Sequence, residues 1–146
     1  MIVVDSQLIA ALLLNNEKTD LAREVLRRDD EWIAPLLWRS EFRQLLAFYL
    51  RKKVLTLRQA SLIMQEAESL MQGGQFEIPS LDILTVTEKY DCSAYAAEYI
   101  ALAQEQGVPL VTMDKMYLRK FPAVTMNAES FISMKITQEQ VHPEML

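Results

Sequence analysis

The chain opens Met1-Ile2-Val3-Val4-Asp5-Ser6, and the reading of these six residues decides the fold. A short aliphatic, β-branched run fits a strand covered on both faces, as strands in the middle of a parallel sheet are. The run halts at a carboxylate. Ligands of open α/β sheets gather beyond the carboxyl ends of strands, which puts Asp5 where chemistry is usually done. Taken alone, Asp5 is better accounted for as the N-cap of the helix expected from Gln7 to Leu14.

Val108-Pro109-Leu110-Val111-Thr112-Met113-Asp114 repeats the pattern, an aliphatic run that again ends on an aspartate. Trp32-Ile33-Ala34, Phe76-Glu77-Ile78-Pro79 and Phe121 to Met126 supply three more short strands. Helices are predicted between them. One begins at a Thr19 cap and runs through Arg28, with Leu21, Val25 and Leu26 at helical spacing. Thr56-Leu57-Arg58-Gln59 fits a capping box for a helix that runs to the Gly73-Gly74 stop, its Met-containing stripe either core or a dimer surface. Ser80 is expected to cap a helix to Tyr90. Ser93 is expected to cap another from Ala94 to Gln106, with Tyr99, Leu102 and Ala103 buried and Gly107 ending it. A last short helix covers Glu129 to Met134, and residues 135–146 form a polar tail.

The helix predicted from Leu36 to about Lys53 carries an anomaly. Leu37, Trp38, Leu45 and Phe48 share a face with Glu41, because separations of three, four and seven residues stack on one side of a helix. A carboxylate in an apolar stripe costs free energy unless a cation or hydrogen-bond donor meets it. Arg39 or another arginine is one such partner; a functional site is the other explanation.

Length and composition narrow the class. At 146 residues and 51% hydrophobic, the chain supports one domain with a single core. No apolar run approaches the roughly 18 residues needed to cross a bilayer. No basic, signal-like segment precedes Asp5, and Cys92, the single cysteine, excludes an intrachain disulfide framework and a cysteine-built zinc site. These features suit a cytoplasmic protein. The lone histidine, His142, lies in the tail, so histidine acid/base chemistry and histidine metal ligation have no support. The net charge of −5 is unevenly spread: residues 1–60 hold ten basic and eight acidic side chains. Arg23, Arg27, Arg28, Arg39, Arg43, Arg51, Lys52, Lys53 and Arg58 make either a cationic face for a phosphate backbone or an ordinary solvated surface.

Asp5, Glu41 and Asp114 gathered in one cleft would repel one another, and the usual remedies are protonation or a divalent cation. All-oxygen ligation suits Mg²⁺ or Mn²⁺, which bridge to substrate phosphate and activate a bound water. The implied reaction is metal-assisted hydrolysis of a phosphodiester.

These residues carry a resemblance. Val3-Val4-Asp5-Ser6, Pro35-Leu36-Leu37-Trp38-Arg39-Ser40-Glu41-Phe42, Cys92-Ser93-Ala94-Tyr95, Glu98-Tyr99-Ile100-Ala101-Leu102-Ala103 and Leu110-Val111-Thr112-Met113-Asp114 resemble, in order and spacing, the PIN-domain ribonucleases and their VapC-type toxins. The likeness covers nearly all of residues 1–134. It implies a three-layer α/β/α sandwich with a mainly parallel sheet, divalent-metal-dependent (Mg²⁺ or Mn²⁺) cleavage of RNA, an antitoxin partner covering the cleft and frequent homodimers. Residue by residue, it makes Asp5, Glu41 and Asp114 the catalytic and metal-binding carboxylates, with Ser6 and Thr112 orienting them. Lys115 and Arg119 join the basic residues that would hold the RNA backbone.

One position departs from the family pattern. The Ser-Ala-Tyr tripeptide is followed in such proteins by an aspartate, and here by Ala96. Behind a Ser93 cap this is the third residue of the first helical turn, beside the positive helix end. Glu98 points to a different face, and Asp91 precedes the helix on a loop. Three accounts of Ala96 stand open: impaired or lost catalysis, an active site in which water or Asp91 fills the gap, or a position altered to give an inert protein. Other enzyme classes fit worse. Ser6-Gln7-Leu8 is no glycine-rich nucleotide turn, Gln7 stands where an aspartyl-nucleophile phosphatase needs a second aspartate, and a receiver domain needs an acidic pair after its first strand. The remaining rival is a PIN-like module that binds RNA or protein without cutting.

Overall fold

The computed structural model describes residues 1–134, so the polar tail and His142 lie outside the described residues. The chain runs through β1 (Ile2–Val4), α1 (Ser6–Leu13), α2 (Thr19–Arg28), β2 (Trp32–Pro35), α3 (Leu37–Arg51), α4 (Leu57–Leu70) and β3 (Gln75–Phe76). It continues through α5 (Ser80–Tyr90), α6 (Ala94–Gln106), β4 (Leu110–Thr112), α7 (Lys115–Lys120), β5 (Thr125–Asn127) and α8 (Ala128–Ser133). The five strands form one sheet in the order β3-β2-β1-β4-β5, and every pairing is parallel. β1 is the middle strand, with Val3 opposite Ile33 on one side and Leu110 on the other. That placement is why all three of its residues are apolar and buried. Helices cover both faces, giving the three-layer α/β/α sandwich that the opening stretch and the family resemblance led us to expect. α6 lies along β2, β1 and β4 with α5 against it, while α1, α2 and α8 pack in series and α3 and α4 join at α1.

From β1 the sheet grows outward through β2 and β3, then resumes on the far side through β4 and β5. The direction reverses between β1 and β4. In open α/β sheets the crevice outside the strand ends at such a reversal is the common ligand site, and Asp5 and Asp114 follow the ends of these two strands.

Several local expectations are corrected. Thr19 is not the cap of α2; Lys18 holds that position without a side-chain bond. The buried Thr19 hydroxyl instead donates to the Ala11 carbonyl at 2.6 Å and accepts from Asn16 N–H, using a carbonyl that the end of α1 leaves unsatisfied. Ser80 is the first residue of α5 rather than its cap, which is Pro79. In α3 the buried residues are Trp38, Phe42 and Leu46, whereas Leu37 and Leu45 are half-buried and Phe48 is 44% exposed. The helix is turned so that its largest rings, Trp38 and Phe42, enter the core edge to face. Turning it the other way would bury Glu41 with the apolar stripe. The capping box at Thr56 and Gln59 forms with both bonds, and the α4 stripe is buried at Ala60 and Ala67 with Ile63 and Met64 half-buried between them.

Candidate active site

The site grows from the ends of two strands and from the body of one helix. β1 delivers Asp5 as the N-cap of α1, where its Oδ1 accepts from Leu8 N–H at 2.9 Å. The capping role and the site position therefore coincide in one residue, so the two readings of Asp5 were never exclusive. Its Oδ2 accepts from the Thr112 hydroxyl at 2.5 Å, and the same Thr112 oxygen accepts from Asp114 N–H at 3.0 Å. One buried hydroxyl thus ties the ends of β1 and β4 together. Asp114 caps α7, with Oδ1 accepting from Met116 N–H, and its Oδ2 is 3.4 Å from the Gln7 amide. Glu41 reaches in from α3, and its Oε1 accepts from the Tyr99 hydroxyl at 2.5 Å.

These three carboxylates line one cleft of about 210 Å³, together with Ser6, Gln7, Ser93, Ala96 and Tyr117. None is ion-paired among the described residues: Arg39 turns to Glu68 on α4 at 3.9 Å, so the arginine partner considered for Glu41 is replaced by Tyr99. Burial without a cation moves the acidity of Asp5 and Glu41. Asp5, 3% exposed, is raised to about 6, chiefly because burial disfavours its charge; the Thr112 and Leu8 bonds oppose this, and the Asp114 and Glu41 charges add to it. Burial likewise raises Glu41, with the Tyr99 bond opposing.

The folded value of Asp5 lies above its unfolded value, so the folded chain holds an extra proton between about pH 4 and pH 6. Stability of the metal-free protein therefore falls as pH rises through that window and stays lower above it. Asp5→Asn, which keeps the cap, is expected to stabilise the metal-free protein at pH 8 by about 2 kcal/mol and to add nothing near pH 4. Urea unfolding in a chelator at the two pH values measures this.

As donor chemistry, three carboxylates without cationic partners fit a hard divalent cation. Each is nonetheless turned to its own hydrogen-bond donor, and no three acidic, histidine or cysteine side chains among the described residues stand together in a metal-holding arrangement. Ala96, 4% exposed, presents its methyl to the cleft at the third residue of α6, with its N–H bonded to Ser93 Oγ at 3.0 Å. Asp91 is an exposed, left-handed cap of α5 whose carbonyl accepts from Lys120, and it does not line the cleft. Glu98 does not line it either; burial raises its pKa, and the charge of Glu41 adds to this. Neither replaces the missing carboxylate.

Beside the cleft lies an open groove of about 730 Å³ that shares Ser6, Gln7, Glu41 and Tyr95 with it and is walled by Leu37, Leu45 and Phe48. Most of the apolar stripe of α3 is thus groove wall. The basic residues are scattered: Arg23 and Arg27 pair along α2 with Asp20 and Glu24, and Arg28 donates to the Ile132 and Met134 carbonyls. On the elements that line the cleft, α3 carries Arg43 and Arg51 besides the Glu68-paired Arg39, and α7 carries Lys115, Arg119 and Lys120. The sequence pattern places Tyr99 in the core and shows no role for it at the site; a buried phenol needs a partner, and a glutamate in an apolar stripe needs a donor, a pairing that periodicity along one helix does not reveal.

Comparisons with known proteins agree with this architecture. The family model described as PIN domain matches residues 2–123. A curated relative named Ribonuclease VapC3, from Pyrobaculum aerophilum, is 28% identical over 127 residues, covering 84% of this chain and 96% of its own. The crystal structure of PAE2754 from Pyrobaculum aerophilum matches with a TM-score of 0.71 at 20% identity, over 90% of this chain and 85% of that one. The last likeness speaks to the fold alone.

Proposed function

The chain belongs to the PIN domain family, and from that premise we propose that it is a VapC-type, divalent-metal-dependent endoribonuclease, the toxin of a toxin–antitoxin pair. The observation that carries this reading is the meeting of Asp5, Glu41 and Asp114, from three separate elements and without ion-pair partners among the described residues, in one cleft at the reversal of a parallel sheet. The ribonuclease name of the curated relative supports RNA as substrate; a cytoplasmic homodimer covered by a cognate antitoxin is part of the same proposal.

Asp5 and Asp114 would hold a Mg²⁺ or Mn²⁺ ion from the strand ends, and Glu41 would complete the oxygen set. Such an ion supplies neutralisation of charge on phosphate oxygens and an acidified water. The chain's part is orientation. Thr112 ties the Asp5 carboxylate to the Asp114 backbone, Tyr99 holds Glu41, and the caps of α1 and α7 hold each aspartate against its helix. Lys115 and Arg119 would meet the RNA backbone. Ala96 favours a second reading, a PIN domain that binds RNA or protein with cleavage weakened or lost.

Addition of Mn²⁺ at a hundredfold excess over its Kd is expected to raise the Tm by on the order of 5–10 °C. Asp5→Asn or Asp114→Asn should abolish the gain. Scanning calorimetry with and without chelator checks it, alongside an RNA-cleavage assay. No metal-linked gain in the parent chain, together with no cleavage, rejects the metallonuclease.

A further inference from the structure

Glu41 stands where two openings meet. It lines the 210 Å³ cleft with Asp5 and Asp114, and equally the 730 Å³ groove with Ser40, Gln44 and Phe48. A glutamate turns about three side-chain bonds, so α3 fixes the position of its Cα without fixing which opening takes the carboxylate. The 2.5 Å bond from Tyr99 makes that choice, joining residues 58 positions apart. The donor itself is packed in the core: Tyr99 is 1% exposed, its ring is edge to face with Tyr117 at 6.2 Å, and Tyr117 rests against Phe121. No other side chain among the described residues donates to Glu41, because Arg39 is directed to Glu68. Ala96, one turn before Tyr99 on the same helix, offers no polar group to share the task.

We propose that Tyr99 is a positioning residue whose hydroxyl selects the cleft for the Glu41 carboxylate, and that divalent-cation binding by this chain depends on Tyr99 through Glu41. The link to cation binding and cleavage rests on the metallonuclease reading; the orientation of Glu41 does not. Groups that orient a ligating side chain typically carry about 10- to 100-fold in metal affinity, and here the oriented side chain has an alternative place to go.

Tyr99→Phe removes one oxygen and keeps the ring packing. Calorimetric Mn²⁺ titration of the full chain is compared for the parent, Tyr99→Phe, Glu41→Gln and the double variant. Tyr99→Phe is expected to weaken Mn²⁺ binding about tenfold, to lower kcat for RNA cleavage with KM unchanged, and to cost nothing further once Glu41→Gln is present. Parent-like affinity, or losses that simply add, overturn the proposal by assigning Tyr99 to the core alone. A crystal structure of metal-free Tyr99→Phe supplies the independent measurement: the Glu41 carboxylate is expected to lie in the groove, and a carboxylate still in the cleft overturns the proposal. If the parent chain binds no Mn²⁺, the nuclease reading fails, and the metal-free structure still decides the role of Tyr99.

Discussion

Ala96→Asp is expected to raise the rate of Mn²⁺-dependent RNA cleavage by on the order of a hundredfold. The position is prepared for a carboxylate. It lines the cleft with Asp5, Glu41 and Asp114, and it sits in the first turn of α6 behind the Ser93 cap, where the helix end favours negative charge. The substitution also carries a cost that makes the test two-sided. A fourth carboxylate beside Asp5, already raised to about 6 in the absence of a cation, adds repulsion that only protonation or a cation relieves. The variant should accordingly melt below the parent in chelator at pH 8 and show a larger Mn²⁺-linked gain in Tm. Cleavage assays and melts on the same preparations check both. If activity appears only in the variant, the family assignment of the site stands and the parent chain is its inert form; if neither form cleaves RNA or binds Mn²⁺, the metallonuclease reading is lost.

The second large effect lies away from the cleft. Gly74→Ala is expected to destabilise the protein by about 3 kcal/mol, at the upper end of overpacking costs, whereas Gly73→Asn should cost well under 1 kcal/mol. The two neighbours are glycines for different reasons. Gly73 has φ of 81° with open space around its missing side chain, and asparagine tolerates that left-handed backbone. At Gly74 an added Cβ would meet the Trp32 carbonyl oxygen at 2.3 Å, a backbone atom of β2 that no rotamer change can move. Relief requires the edge strand β3 to shift away. That shift would break the Ala34 N–H to Gly74 and Leu36 N–H to Phe76 bonds and the Trp38 indole to Gln75 bond at the start of α3. Since α3 carries Glu41, Gly74→Ala should also weaken Mn²⁺ binding. Urea unfolding of the two variants gives the comparison; equal costs would refute the close-approach explanation.

How much of this was legible in the chain differs from residue to residue. Ser93 as the cap of α6, the Thr56 and Gln59 box and the buried strand before Asp5 are set by neighbours within a few positions. They could be read directly. Thr19 misled because a hydroxyl that suits a cap suits equally a carbonyl eight residues back, and only the packing of α2 on α1 decides which it takes. The α3 stripe misled because a span wide enough to include Glu41 also includes residues at the rim of the core.

The sequence by itself determined the elements, their order and the three acidic candidates, because strand and helix signals are local and a carboxylate in or at the end of an apolar run stands out. Only the tertiary structure decided that β1 and β4 are neighbours across a reversal of strand order, that Thr112 bridges Asp5 and Asp114, and that Tyr99 rather than an arginine answers Glu41. Those contacts join residues 58 and 107 positions apart. They depend on how the crossover helices seat the strands against one another, which no periodicity within a single segment records.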